Sequence, residues 1–348
     1  MTRRWSAAAG ALATVFLAAA CSVHSGPPPA EERVAPPRPS PTAPPEPYPP
    51  DGKVFLGVQT NAGPADFSAV NAFATATGHA PTALQFSQGW ADDQFDRTKF
   101  DAIAAKGMLP VLSWEPWDYK SRNGPNQPAY RLAAIAGGTY DGYIQAWAKG
   151  IAALSYPVVV RFGHEMNGFW YPWCEQANGN HPGDYVRAWR HVHDLFVAAG
   201  ARNVAWLWSP NVTYPGAAPL SGLYPGDSYV DWIGLSGYYG TAGRTSYISF
   251  DQIFTSTLSE VDALAHKPIV VTETGATNVS GQQAHWITQM FAQLPAHPEV
   301  IGVIWFEAMK EIDWRIASAP AAAAAFAQGA ADPRYQAPWA PNGIPRSG

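Results

Sequence analysis

The stretch Val158-Val159-Val160-Arg161-Phe162-Gly163-His164-Glu165-Met166-Asn167-Gly168-Phe169-Trp170-Tyr171-Pro172-Trp173 changes character halfway along. Its first five residues are mostly apolar and β-branched, as in a buried strand, because branched side chains pack well on a pleated surface. After Gly163 the run gives way to charged, polar and aromatic residues. The same switch recurs along the chain. Strand-like runs at 54–59, 83–86, 109–113, 158–162, 204–208, 232–236, 269–272 and 300–306 each end in residues that can carry chemistry or grip a ligand. Between them lie stretches with apolar residues at three- and four-residue spacing, at 66–77, 140–154, 184–199, 250–265 and 282–294. The second connection, 96–106, reads as a short helix, and the fifth is mostly loop. Eight strands alternating with helices predict a single α/β domain, a (β/α)8 TIM barrel.

The chain has 348 residues, 22 Lys+Arg against 27 Asp+Glu, and a formal net charge of −5. That balance offers no basic patch and excludes a nucleic-acid binder that works by neutralising phosphates. With 47% hydrophobic residues the chain can bury a large core, which excludes disorder throughout. It holds 15 Trp, 15 Tyr and 15 Phe but only 14% charged residues. Most of those rings serve the core, and the remainder suit flat, weakly polar ligands, sugars first.

The N-terminus reads as export machinery. Arg3 and Arg4 precede a short apolar run to Ala20, and Leu17-Ala18-Ala19-Ala20-Cys21 resembles a bacterial lipoprotein signal. Residues 1–20 are therefore expected to be a signal peptide and Cys21 a lipidation site, with ordinary cleavage after Ala20 as the alternative. Half of residues 27–50 are proline, a composition that favours extended polyproline II. Residues 21–50 form a spacer, 51–335 the barrel and 336–348 a tail. The expectation is an extracellular protein tethered to the outer face of the membrane, monomeric, and touching the membrane only through that anchor.

A barrel of this kind places its chemistry just beyond the C-terminal ends of the strands. There the sequence puts Ser113-Trp114-Glu115-Pro116-Trp117 after the third strand, Ser236-Gly237-Tyr238 after the sixth and Trp305-Phe306-Glu307 at the eighth. Glu165 follows the fourth strand and Glu273 the seventh, which face each other across the mouth. Two carboxyls about 5–5.5 Å apart suit glycoside hydrolysis with retention, and roughly 6.5–9.5 Å suits inversion. His164-Glu165 lacks the second histidine of a zinc protease helix, so neither metal nor cofactor is expected. His191 and His193 are two residues apart on a helix and do not share a face. Asp231 reads as structural, and Cys174 as a buried thiol.

The segment from Arg161 to Trp173 closely resembles the acid/base signature of glycoside hydrolase family 26. The resemblance extends through 229–238, 268–275, Trp305 and Asp313-Trp314-Arg315, most of the chain from the fourth strand onward. It implies a β-glycanase with retention, Glu165 as acid/base and Glu273 as nucleophile. It implies that His164 lies near the nucleophile or the −1 sugar, that Tyr238 orients Glu273, and that Trp170 and Trp305 stack around the cleavage point. Arg161 resembles the arginine that keeps the nucleophile charged. Trp114 and Trp117 either line the cleft or pack beneath the third loop, and Trp114 is counted among the substrate-binding candidates. The family's commonest substrate makes β-1,4-mannan the expected polysaccharide. Mixed-linkage β-1,3-1,4-glucan and β-1,3-xylan are the alternatives within the family, and a non-catalytic carbohydrate-binding barrel is the alternative outside it.

Overall fold

The computed structural model describes residues 47–91, 93–241, 246–279 and 281–345. Cys21, the signal and most of the proline-rich spacer lie outside them. Eight parallel strands close into a barrel in sequence order: β1 (Phe55–Thr60), β2 (Ala83–Gly89), β3 (Leu109–Glu115), β4 (Val158–Phe162), β5 (Val204–Trp208), β6 (Trp232–Tyr239), β7 (Ile269–Ala276) and β8 (Val300–Glu307). Closure comes from β8 pairing with β1, with Phe55 opposite Gly302 and Thr60 opposite Glu307. The predicted (β/α)8 architecture is the one observed.

Outside the strands run α1 (Ser68–Thr77), α2 (Arg97–Ala104), α3 (Leu132–Ala136), α4 (Asp141–Ala152), α5 (Asp184–Ala198), α6 (Phe250–Leu264), α7 (Gln283–Gln293) and α8 (Pro320–Ala330). No α-helix follows β5, only two short 3-10 turns, as the loop-like sequence there predicts. Helices α3 and α8 are additional to those the apolar spacing predicts.

Aromatic residues weld barrel to helices. Trp114 of β3 packs against Tyr143 and Trp147 of α4 and Phe196 of α5, and Trp206 of β5 packs against Trp189 and Phe196. Such rings bury large apolar areas, and their edge-to-face contacts add to that burial. At the N-terminal end of the barrel, Pro47–Tyr48 pairs with Ile344–Pro345, and Tyr48 donates to Ala337 O at 3.1 Å. Tyr335, Ala337 and Trp339 are buried there, so the segment read as a tail packs onto the barrel.

One irregularity matters for the site. Along β7 the pairing with β6 slips by one residue, Leu235 opposing Val271 but Ser236 opposing Glu273. Thr272 is the extra residue. A bulge of this kind re-aims the side chains that follow it, and here they begin with Glu273.

Candidate active site

Arg161, the fourth residue of β4, is fully buried in the barrel, and its fork reaches four side chains. Nε donates to Ser209 Oγ at 2.9 Å, Nη2 to Ser236 Oγ at 2.8 Å, and Nη1 to Ser113 Oγ at 3.2 Å and Glu273 Oε1 at 2.5 Å. Those partners come from β3, β6, β7 and the residue after β5, so one guanidinium ties five strands to a common point. Tyr238 of β6 donates its hydroxyl to the other Glu273 oxygen at 2.6 Å. Glu273 is thus held at both oxygens.

Glu165 is fixed differently. Gly163 and Glu165 have φ of 51° and 53°, in the left-handed region that glycine tolerates and glutamate disfavours. Strain of this kind persists only where the surroundings enforce it, and it clusters at functional sites. Here the Glu165 amide donates to Ser209 O at 2.7 Å, and its carbonyl accepts from the Gly168 amide at 3.0 Å. Asn167 braces the same turn, exchanging hydrogen bonds with the Asn211 backbone at 2.8 and 2.9 Å. The Glu165 side chain accepts from Trp170 Nε1 at 2.9 Å.

The two carboxyls have unequal surroundings. Burial, seconded by the charge of Glu273, pushes Glu165 up to about 7, against weaker opposition from Arg161 and Trp170. The neutral acid is favoured in the folded state. Between the ordinary carboxyl range and about 7, the folded chain holds a proton that the unfolded chain has released, so Glu165 lowers stability as pH rises through that window. Glu165→Gln should therefore raise the melting temperature by several degrees at pH 8 and leave it nearly unchanged at pH 4. The expected scale is roughly 3 kcal/mol. Thermal denaturation at the two pH values checks this, and an equal shift at both would contradict the assignment.

His164 is buried, with its Nδ1 lacking a hydrogen-bond partner, and burial followed by the charge of Arg161 pulls it well below the usual histidine range. It packs at 5.0 Å from the Tyr171 ring. Two cavities open at the site, one walled in part by Glu273 and the other by Trp170 and Tyr238, the hydrogen-bond partners of the two carboxyls. One of about 570 Å³ is walled by Gln59, Glu115, Trp117, His164, Tyr171, Glu273 and Phe306. The other, about 430 Å³, is walled by Trp170, Asn211, Tyr214, Tyr238, Ile248 and Gln252. Both are of a size that takes small ligands or parts of larger ones.

The structure thus gathers Arg161, His164, Glu165, Trp170, Tyr238 and Glu273 at the mouth. Two other candidates stand apart. Trp114 is fully buried behind β3 against α4 and α5, and Trp305 is fully buried between β8 and the rings of Trp286 in α7 and Phe326 in α8. Neither can stack on a ligand in the cleft. Their sequence neighbours face it instead, Glu115 and Phe306. Trp314 packs on Tyr238 at 4.8 Å, and Glu307 pins its loop by accepting from the Ile316 and Ala317 amides at 2.9 Å each.

Fold and site together define a parallel barrel with a paired-carboxylate mouth, built around one buried arginine. The sequence profile of glycosyl hydrolase family 26 matches residues 123–308, just over half of the chain. The chain belongs to that family. It is 31% identical over 298 residues to Endoglucanase H of Acetivibrio thermocellus, covering 82% of this chain and 31% of that protein. It is 28% identical over 156 residues to a mannan endo-1,4-beta-mannosidase of Bacillus subtilis strain 168, covering 43% of this chain and 38% of that one. The chain therefore spans about a third of the length of these curated relatives. Among solved structures, the catalytic domain of a Bacillus sp. JAMB-750 endo-beta-1,4-mannanase superposes with a TM-score of 0.62 at 20% identity, covering 80% of this chain and 86% of that one.

Proposed function

We propose that this barrel hydrolyses the backbone of a neutral β-linked polysaccharide within the chain, with retention, Glu273 acting as nucleophile and Glu165 as acid/base. The observation that carries this reading is the asymmetry of the two carboxyls. Glu273 is gripped by a guanidinium and a phenol, which orients it for attack. Glu165 is buried and favoured in its proton-bearing form. A double displacement needs that division of labour: one carboxylate attacks the anomeric carbon while the other carboxyl protonates the leaving oxygen. Water, deprotonated by Glu165, then releases the sugar from Glu273.

The cavity beside Glu273 takes the sugar unit that becomes attached to it. The cavity beside Trp170, bonded to the proton donor, takes the leaving part of the chain. We further propose β-1,4-mannan as the polysaccharide, in line with the mannan-named relative. A second reading, a β-glucan, is favoured by one observation: the match to Endoglucanase H runs over 82% of the chain, whereas the match to the Bacillus subtilis mannosidase covers 43%. Attachment to the outer membrane face through Cys21 remains our proposal from the sequence.

Incubation with mannohexaose and, separately, with barley β-glucan tests both. Release of short mannooligosaccharides supports the first reading, and cleavage of the glucan alone supports the second. Reducing ends from neither would overturn the proposal.

A further inference from the structure

Glu115, the last residue of β3, is a third carboxyl in the wall of the cavity that holds Glu273, His164 and Tyr171. It is 8% exposed, and its Oε2 accepts from Trp117 Nε1 at 2.9 Å, with the Ser87 hydroxyl as a further partner. Among the described residues no cation forms an ion pair with it. Arg161, the nearby cation, spends its donors on Ser113, Ser209, Ser236 and Glu273. Burial, together with the charge of Glu273, pushes Glu115 above the ordinary carboxyl range.

Holding a carboxyl there is costly, and a neutral acceptor such as glutamine would serve Trp117 and Ser87 at far smaller desolvation cost. The cost has a use if a ligand brings donors to the remaining lone pairs. A sugar ring is such a ligand, since neighbouring hydroxyls can donate together to one carboxylate, and bonds to an ionised acceptor are the stronger kind. A third acidic group beside a nucleophile contributes nothing to attack and would oppose the nucleophile's charge. Its position in the cavity wall suits gripping the substrate.

We infer that Glu115 binds hydroxyl groups of the sugar unit on the Glu273 side of the cut and sets the affinity for that unit. The inference rests on the proposed glycanase reading. It is tested by product inhibition, with the disaccharide of whichever backbone the wild-type chain cleaves. Glu115→Gln keeps the side chain's size and an acceptor for Trp117 and relieves the desolvation cost, so the melting temperature should hold or rise. The inhibition constant should rise about tenfold to a hundredfold, the size of losing a hydrogen bond to a charged group. Glu115→Asp keeps the charge but withdraws it by one methylene, and should weaken inhibition too. Unchanged inhibition constants in both variants would overturn this inference and leave the glycanase reading standing. Failure of the wild-type chain to cleave any mannan or glucan would overturn both.

Discussion

Glu273→Ala is expected to lower kcat on the order of 10⁵-fold, the scale seen when a covalent nucleophile is removed. The residue does two jobs in the structure. In the proposed mechanism its carboxylate attacks, and in the fold it is the counter-charge of a fully buried arginine. Truncation therefore also leaves Arg161 unpaired, a change that typically destabilises by about 3–5 kcal/mol. Low activity alone would not separate lost chemistry from lost fold. Azide separates them. It is small, anionic and nucleophilic, and fits the space the side chain vacates. With an aryl glycoside carrying a good leaving group, azide should attack the anomeric carbon directly. The carbon–oxygen bond to the aryl group breaks as the carbon–nitrogen bond forms, giving a glycosyl azide of inverted configuration. A folded barrel that binds substrate is required for that product. Turnover near wild type in Glu273→Ala, or azide product of retained configuration, would show that another group is the nucleophile.

Much of this site is legible in sequence because a barrel strand has a fixed parity. Side chains alternate between faces, and paired residues on neighbouring strands share a face. Ser113 pairs with Arg161 and both point to the same cluster, so Trp114, paired with Phe162, must face the helices. The same rule puts Glu115, two residues beyond Ser113, on the side of Arg161. Gln59 pairs with Phe306 and both line the larger cavity, which sends Trp305, paired with Val58, outward. Parity is therefore the signal that excludes Trp114 and Trp305 and finds Glu115; large aromatic side chains at strand ends obscure it, because they suit a sugar cleft and a core alike.

Other features were beyond that rule. Glu273 stands past the extra residue Thr272, where counting by twos from Val271 assigns the wrong face, and nothing in the local sequence marks the slip. The brace between Asn167 and Asn211 joins two loops whose conformations no periodicity describes. Helix α8, an alanine-rich run, has a weak apolar stripe because alanine suits both faces, and helix packing rather than pattern fixes it.

Arg161→Met should cost at least a hundredfold in kcat/KM and about 3–5 kcal/mol of stability, the usual penalty for stranding one member of a buried ion pair. Methionine nearly fills the volume, so the loss reports on charge and hydrogen bonds more than on packing. Three hydroxyls, from Ser113, Ser209 and Ser236, lose their guanidinium donor, and Glu273 Oε1 loses its counter-charge. A carboxylate without a counter-charge in a buried site favours its neutral form, and a neutral carboxyl does not attack. Tyr238 remains on the other oxygen and keeps part of the orientation, which is why some turnover should survive. Arg161→Lys separates charge from geometry. An ammonium restores a positive charge but lacks the planar fork that reaches partners from four other strands, so stability should recover further than kcat/KM. Thermal denaturation and initial rates on the preferred substrate measure both. A methionine variant that melts like wild type and turns over within tenfold of it would remove Arg161 from the centre of the site.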